Sequence, residues 1–286
     1  MSSSLNITNE SLQCCRRGNL RTGTPAGKEI TLAGRQAYLA AAANGKPVGA
    51  VLYITDAFGW DVPNARLLAD TYAADGDLDV YILNVLDNDA IPAGAFTNPD
   101  LKFDMAAWAG KIISLRPEHE GAYVEAAKEL RSKYSKVAAS GYCWGGYYSI
   151  RLAQHDDLIV TAIASHPSLV AVPGDIEPIK KPVFFVCAET DQQFGDEKRE
   201  EAKAVLAKKP ETGSFFKLYP GNGLELCCII DCKSLFVHTD IVSFDVSKGT
   251  QHGFTTRPDA EGVTASHEAK DATVTWILKH FGVTDA

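Results

Sequence analysis

The fold is decided by residues 137–146, which read Val-Ala-Ala-Ser-Gly-Tyr-Cys-Trp-Gly-Gly. A short apolar run suited to a buried strand is followed at once by a glycine-flanked cysteine and then by a helical pattern. Glycines two residues before and after Cys143 remove collisions that a sharp strand-to-helix turn would cause. The pattern is that of a nucleophile elbow, Gly-x-Ser-x-Gly, with cysteine in the place of serine. The alternative is a small buried cysteine in a glycine-rich turn, since free cysteine is often a core residue.

The elbow lies within an alternation of strand and helix patterns. Apolar runs typical of buried strands occupy residues 50–54, 80–83, 137–140, 159–164, 183–186 and 215–219. Helical patterns occupy residues 63–74, 122–134, 147–155, 197–208 and 266–280. Continuous apolar strands that alternate with helices predict an α/β fold, a mostly parallel sheet with helices on both faces. Ligands of such sheets bind beyond the carboxyl ends of the strands, so the chemistry is expected there.

Composition narrows the class of protein. The chain has 286 residues and a formal net charge of −8, which suits one α/β domain and argues against a nucleic-acid or anionic-membrane surface. No apolar run approaches the roughly 20 residues that span a bilayer, and the first residues lack the pattern of a signal peptide. Seven cysteines without the spacing of a disulfide framework favour a reducing compartment. We therefore expect a cytoplasmic protein. A small-molecule substrate and a monomer or homodimer are further expectations, which composition does not decide.

The acid of a catalytic set is expected after the nucleophile and before the base in chain order. Asp191 follows the strand pattern at 183–186 and lies in the loop at its carboxyl end. Glu189 is the nearest rival and Asp196 a weaker one. The alternative for Asp191 is a loop aspartate that caps the following helix.

The base is predicted to be His252, in the run Gln-His-Gly-Phe that precedes the final helix. The glycine that follows His252 leaves its ring free to reach over the sheet edge. His166, in the run His-Pro-Ser after a strand pattern, is the competitor, but it precedes the acid in chain order. Four histidines in or close to helical patterns are expected to be solvated: His119, His155, His267 and His280.

An oxyanion hole needs two N–H donors. One is predicted to be the backbone N–H of Trp144, directly after the nucleophile, at the start of a helix whose dipole favours negative charge. The second is expected in the loop after an early strand. That loop reads Thr-Asp-Ala-Phe-Gly-Trp at 55–60, and the N–H of Ala57 is the predicted donor.

These motifs as a set resemble the dienelactone hydrolase family, which has the α/β-hydrolase fold. The resemblance runs over about residues 14–282, so residues 1–13 would be an N-terminal extension to a single domain. It implies a catalytic triad of Cys143, His252 and Asp191, an oxyanion hole from Ala57 and Trp144, and no cofactor or metal. The matching runs are Cys-Cys at 14–15, Gly-Thr-Pro-Ala-Gly at 23–27, Asp-Ala-Phe-Gly at 56–59, Asn-Ala-Arg-Leu-Leu-Ala-Asp at 64–70, the elbow, His-Pro-Ser at 166–168 and Gln-His-Gly-Phe-Thr at 251–255.

The same resemblance implies hydrolysis of small esters or cyclic enol lactones through a thioester. Asp56 matches an acidic position that interacts with the thiol in bacterial members. A carboxylate near a thiol disfavours the thiolate and could accept its proton; alternatively, Asp56 binds loop N–H groups. The basic residues that bind a substrate carboxylate in bacterial members have no clear match, and Arg257 and Lys102 are the candidate substitutes.

One segment departs from the family pattern. The family would run Tyr-Pro-Gly-Thr-Gln-His-Gly-Phe without interruption, but here 27 residues, Asn222–Lys248, separate Gly221 from Gly249. Gly221-Asn222 can be encoded with a GT at the junction and Lys248-Gly249 with an AG, so splicing would restore the run in frame. We therefore hypothesise a retained intron; the alternative is a lid or hairpin. Its Cys227, Cys228, Cys232 and His238 lack the spacing of a common zinc site.

Two other classes of function compete with the hydrolase. The insertion next to His252 could displace the base, which would leave a catalytically impaired α/β-hydrolase fold with a binding or regulatory role. A thiol redox enzyme is disfavoured because the chain has no Cys-x-x-Cys motif.

Overall fold

Eight strands form one sheet in the computed structural model, which describes residues 18–97, 101–219, 249–258 and 262–283. The strands are β1 (Lys28–Leu32), β2 (Arg35–Ala40), β3 (Ala50–Ile54), β4 (Asp79–Leu83), β5 (Val137–Tyr142), β6 (Thr161–Ser165), β7 (Val183–Ala188) and β8 (Phe215–Tyr219). Their order in the sheet is β1-β2-β4-β3-β5-β6-β7-β8. The pairs β1–β2 and β2–β4 are antiparallel, and every other neighbouring pair is parallel.

Six of the helices described lie in connections between strands, and the seventh follows the last strand described. They are α1 (Pro63–Gly76), α2 (Gly94–Thr97), α3 (Met105–Ser114), α4 (Arg116–Lys133), α5 (Trp144–Leu152), α6 (Asp196–Leu206) and α7 (Val263–His280). Two 3₁₀ turns lie at Asp87–Asp89 and Pro210–Thr212. In the part of the chain that the structure describes, no helix is long and apolar enough to cross a membrane.

The sheet separates two hydrophobic cores. Leu52 and Ile54 of β3 point into one core, and Val51 and Tyr53 into the other, as the alternation of side chains along a strand requires. Helices α3, α4, α5 and α6 cover the first core, and α1 and α7 cover the second. All five side chains of β3 are buried, which explains why this strand reads as a continuous apolar run rather than an alternating one.

The six strands predicted from the sequence are all present, with bounds shifted by up to two residues. The hairpin β1–β2 and the helices α2 and α3 were not predicted. The first four residues of β1, Lys-Glu-Ile-Thr, are exposed or half-buried, so this edge strand carries no buried-strand signature. The predicted α/β fold, a mostly parallel sheet with helices on both faces, is confirmed.

The parallel strands bring four loops to one edge of the sheet. The loops after β3, β5, β6 and β7 begin at Thr55, Cys143, His166 and Glu189 respectively. Because these strands run in the same direction, the loops meet at their carboxyl ends, where ligands bind in open α/β sheets. The residues proposed for chemistry lie at this edge.

Candidate active site

Cys143 sits on a strained turn between β5 and α5. Its φ is 52° and its ψ is −115°, a conformation that side-chain-bearing residues rarely adopt. A Cβ at Gly141 would lie 2.2 Å from the carbonyl oxygen of Gly145, and one at Gly145 would lie 2.3 Å from the carbonyl oxygen of Ile54. Both positions therefore require glycine, and the turn has the geometry expected of a nucleophile elbow.

The two predicted oxyanion donors belong to elements that touch each other. Trp144 is the first residue of α5, directly after Cys143. A Cβ at Gly145 would also lie 2.4 Å from the carbonyl oxygen of Thr55, so the loop after β3 runs against the start of α5. The Ala57 carbonyl accepts from the N–H of Ile91 at 2.8 Å, which fixes the loop that carries the Ala57 N–H.

Asp191 and His252 form a buried pair. Asp191 Oδ1 lies 3.0 Å from His252 Nδ1, and the two side chains are at most 1% exposed. The same oxygen accepts from the N–H groups of Gln193 at 2.8 Å and Phe194 at 3.0 Å. Burial alone would raise the pKa of Asp191, but the His252 imidazole and these N–H groups outweigh burial and lower the pKa. The carboxyl is therefore held ionised beside the imidazole.

The rival acids have other partners. Glu189 Oε2 accepts from the N–H of Gly249 at 2.5 Å, and Asp196, whose side chain is 91% exposed, pairs with Arg199. Neither contact involves His252. The structure brings Asp191, and not its two rivals, to the predicted base.

His252 is held by a short parallel bridge beside β7. The bridge joins Thr190 to Gln251. The Thr190 N–H donates to the Thr250 carbonyl at 3.0 Å, and the His252 N–H donates to the Thr190 carbonyl at 3.3 Å. The Thr250 hydroxyl also donates to the carbonyl of Tyr219, the last residue of β8. His252, the predicted base, is thus fixed to the sheet by backbone contacts with the loop that carries Asp191.

Ser168 joins the thiol to the imidazole. Its Oγ lies 3.1 Å from Cys143 Sγ and 3.2 Å from His252 Nε2. Its backbone N–H donates to the Cys143 carbonyl at 2.9 Å. Sequence reasoning singled out the run His-Pro-Ser at 166–168 but gave Ser168 no role, because the contacts depend on three loops meeting in space.

His166, the competitor for the role of base, lies beside His252. The two ring centroids are 4.9 Å apart, but His166 Nε2 is engaged with Thr255 Oγ1 at 2.6 Å. Burial, and secondarily the nearby His252, lower the pKa of His166 to about 3. His166 is therefore neutral at ordinary pH and supports the site rather than taking up a proton.

Asp56 is engaged by a buried arginine. Its Oδ2 accepts from Arg257 Nε and from Thr256 Oγ1, each at 3.0 Å, and its Oδ1 accepts from the Phe58 N–H at 3.0 Å. The Arg257 guanidinium also lies over the Phe58 ring, 4.7 Å from its centroid. The loop-binding alternative for Asp56 therefore describes its contacts here, and its action on the thiol stays a prediction. Arg257 is 1% exposed within this pair, whereas Lys102 is exposed.

One expectation about the histidines is wrong. His119 is 3% exposed and packs against Trp144, with ring centroids 5.5 Å apart. Its Nδ1 lies 3.4 Å from the Tyr148 hydroxyl, and burial lowers its pKa. The sequence around His119 predicts a solvated helical face, but in the structure that face of α4 packs on α5. His267 is exposed as expected, and His155 and His280 are half-buried.

Over the ranges that the structure describes, no other cysteine belongs to this group of contacts. Cys14–Cys15 and the segment Asn222–Lys248, with its three cysteines and His238, lie outside the described residues. Among the residues that are described, no three metal-ligating side chains cluster. The second described thiol, Cys187, is buried, and burial raises its pKa to about 12, so it is a poor nucleophile.

Solved structures share this architecture. A candidate dienelactone hydrolase from Klebsiella pneumoniae aligns with a TM-score of 0.63 at 14% identity, over 91% of this chain and 99% of that one. The dienelactone hydrolase-like promiscuous phosphotriesterase P91 from metagenomic libraries aligns with a TM-score of 0.54 at 17% identity, over 89% and 99%. The fold is therefore that of the α/β hydrolases.

The family follows from the sequence comparisons. The model of the dienelactone hydrolase family matches residues 36–223, more than half of the chain. Dienlactone hydrolase 1 of Gibberella moniliformis is 30% identical over 207 residues, 69% of this chain and 76% of that protein. A carboxymethylenebutenolidase homolog of Mus musculus is 26% identical over 145 residues, 50% and 56% of the two chains. The chain belongs to the dienelactone hydrolase family, a family of hydrolases of ester and lactone type.

Proposed function

We propose that this chain hydrolyses small esters or enol lactones, using Cys143 as the nucleophile, His252 as the base and Asp191 as its orienting acid. The observation that carries the proposal is the buried line of contacts from Asp191 Oδ1 to His252 Nδ1 at 3.0 Å, and from His252 Nε2 through Ser168 to the thiol of the elbow. A nucleophile whose base is oriented by a third group is the general arrangement of acyl-transfer enzymes.

The reaction would proceed by two acyl transfers. In the first, the Cys143 thiolate attacks the substrate carbonyl, and the N–H groups of Ala57 and Trp144 stabilise the oxyanion. The enol or alcohol leaves with a proton from the His252 imidazolium, and a thioester remains on Cys143. In the second, His252 takes a proton from water, the hydroxide attacks the thioester, and the carboxylate product departs. None of these steps needs a cofactor.

Asp191 would act through His252. An ionised carboxylate at Nδ1 holds the tautomer whose Nε2 can accept a proton, and stabilises the imidazolium once it forms. The lowered pKa of Asp191 keeps that carboxylate charged at neutral pH. In serine hydrolases, an amide at this position lowers the rate by about 10⁴.

The predicted action of Asp56 on the thiol is part of this proposal. A carboxylate close to a thiolate disfavours it by charge repulsion. Here the guanidinium of Arg257, with Nε 3.0 Å from Asp56 Oδ2, offsets that charge. The pair would therefore repel the Cys143 thiolate less than an unpartnered carboxylate would.

The test is a hydrolysis screen over enol lactones and short aryl esters, with Cys143→Ala and Cys187→Ala compared. We expect activity on at least one substrate, its loss in Cys143→Ala, and retention within about twofold in Cys187→Ala, because the Cys187 thiol is buried and protonated. Full activity in Cys143→Ala would contradict the mechanism. Inactivity both of this chain and of one lacking Asn222–Lys248 would favour the binding or regulatory alternative.

A further inference from the structure

We propose that Ser168 is a further catalytic residue, whose hydroxyl relays the proton between Cys143 Sγ and His252 Nε2. The inference rests on the proposed function, because the thiolate that the relay forms is taken to be the nucleophile of ester hydrolysis. Ser168 Oγ contacts both groups, at 3.1 Å to the sulfur and 3.2 Å to the nitrogen. A hydroxyl can donate one hydrogen bond while it accepts another, which is the requirement for a relay.

The hydroxyl is held in place by the backbone. The Ser168 N–H donates to the Cys143 carbonyl at 2.9 Å, and the Cys143 N–H donates to the Ser165 carbonyl at 3.0 Å. These two bonds join the loop after β6 to the elbow on both sides of the nucleophile. Ser168 is 2% exposed and Cys143 is 1% exposed, so bulk water does not compete freely for the bridge.

The relay step balances without a co-reactant. The S–H bond of Cys143 breaks and its proton passes to Ser168 Oγ, while the Ser168 O–H bond breaks and that proton passes to His252 Nε2. The products are a thiolate, an imidazolium and an unchanged serine hydroxyl. Asp191, whose pKa is lowered beside His252, stabilises the imidazolium, and the Ser168 hydroxyl then donates to the thiolate.

A purely structural serine predicts something different. If the hydroxyl only filled space, its removal would change stability slightly and leave the ionisation of the thiol as it was. Ser165 supplies a matched control, because its Oγ is equally buried and has no hydrogen-bond partner among the described residues. Ser165 is the last residue of β6, and Ser168 lies three residues further on in the loop that follows. The Ser168 hydroxyl contacts the Cys143 thiol, whereas the Ser165 hydroxyl does not.

The experiment measures alkylation of Cys143 by iodoacetamide between pH 5.5 and 9.5, quantified by mass spectrometry on the peptide that contains it. The variants are Ser168→Ala, Ser168→Thr and Ser165→Ala. We expect Ser168→Ala to lower the alkylation rate at pH 7 by about 10-fold or more, the loss expected for one hydrogen bond to a charged group. Ser168→Thr should recover much of the rate because it keeps the hydroxyl, and Ser165→Ala should match the parent chain.

The relay is overturned if Ser168→Ala gives the same pH profile of alkylation as Ser165→Ala. Ser168→Gly replaces Ser168→Ala if circular dichroism shows that the alanine variant does not fold. A proton inventory of ester hydrolysis by the parent chain tests the relay without any variant: two protons in flight give a curved dependence on the deuterium fraction, and a straight line contradicts the proposal.

The two proposals fail differently. Alkylation that depends on Ser168 in a chain with no ester hydrolysis would overturn the hydrolase and support the relay. Hydrolysis that is lost in Cys143→Ala but unchanged in Ser168→Ala would support the hydrolase and overturn the relay.

Discussion

At the residue scale, the site holds two neighbouring imidazoles in different surroundings. His166 and His252 have ring centroids 4.9 Å apart, and two adjacent imidazolium ions would repel each other. Burial holds His166 neutral, with a pKa of about 3, whereas His252 faces the ionised Asp191 at 3.0 Å. The surroundings of the two rings therefore differ: burial disfavours a proton on His166, whereas His252 lies against a carboxylate.

The Asp191 pairing makes a direct prediction about rate. Asp191→Asn should lower kcat/KM by about 10²–10⁴, because an amide favours the wrong imidazole tautomer and no longer stabilises the imidazolium. Asp196→Asn is the matched control, since Asp196 lies five residues further on and its side chain is 91% exposed. Equal rates for the two variants on an aryl ester would contradict the role of Asp191.

His166 makes the folded state sensitive to acid. Its pKa is about 3 in the folded chain and near 6.5 in an unfolded one, so between these values the unfolded chain binds the additional proton. Stability is then complete above pH 6.5 and falls as the pH drops, by up to about 1.4 kcal/mol per pH unit.

The measurement is urea unfolding of the parent chain and of His166→Asn between pH 7 and pH 4.5. Asparagine tolerates the φ of 36° at this position and does not titrate. The unfolding free energy of the parent chain should fall more steeply with acid than that of the variant. Parallel pH dependences would show that His166 does not carry this effect.

Local sequence was sufficient to single out Cys143, Asp191 and His252 as candidates, because each lies in a motif with fixed neighbours. It was not sufficient for Ser168 or for the pairing of Asp56 with Arg257. The latter two residues are 201 positions apart, and nothing in either local pattern specifies the other. The contact between Asp56 and Arg257 forms because the loop after His252 packs against the loop after β3.

At the element scale, the turn from β5 to α5 decides whether the site exists. The helix starts directly behind Cys143, so the loop after β3 must approach α5 at Gly145 with no side chain between them. This close approach is what the glycines of the elbow motif make room for.

Gly145→Ala should therefore destabilise the chain by about 3 kcal/mol or more, because its Cβ would meet two backbone carbonyl oxygens at 2.3 and 2.4 Å. Gly121→Ala is the control: this glycine lies inside α4 with open space at its Cβ position. That substitution should stabilise the helix by about 0.5–1 kcal/mol. Urea unfolding checks both, and a neutral Gly145→Ala would contradict the tight-turn account.

Buried elements were easier to predict than edge elements. Strand β3 is buried along its whole length and reads as a strand from its apolar residues alone. Strand β1 is largely exposed and forms only by pairing with β2, so its strand character comes from tertiary contact. The helices were predicted with ends that differ by several residues: α4 begins at Arg116, six residues before the predicted start.

At the scale of the whole molecule, the residues on either side of 220–248 lie next to each other. The Thr250 hydroxyl donates to the Tyr219 carbonyl, and the match to the family model ends at residue 223, next to the start of the atypical segment. The chain can therefore pass from β8 to the His252 loop through a few residues, as the uninterrupted family pattern would require.

A chain lacking Asn222–Lys248 should fold with the same sheet and unfold at a higher urea concentration. Shortening the connection between Tyr219 and Thr250 from about 30 residues to about three lowers the entropic cost of bringing its ends together, by on the order of 2 kcal/mol. We also expect kcat/KM at least equal to that of the parent chain. A deleted chain that is less stable would contradict this expectation, and a dominant transcript that contains the segment would contradict the retained-intron hypothesis.

The proposed mechanism requires Cys143 to carry the acyl group during hydrolysis. Its most direct test is rapid acid quenching of the chain during turnover of a short aryl ester, followed by mass spectrometry of the tryptic peptides. We predict an acyl mass increment on the peptide containing Cys143, removed by hydroxylamine and missing in Cys143→Ala. Turnover with no adduct on Cys143, and with the same rate in Cys143→Ala, would contradict the account.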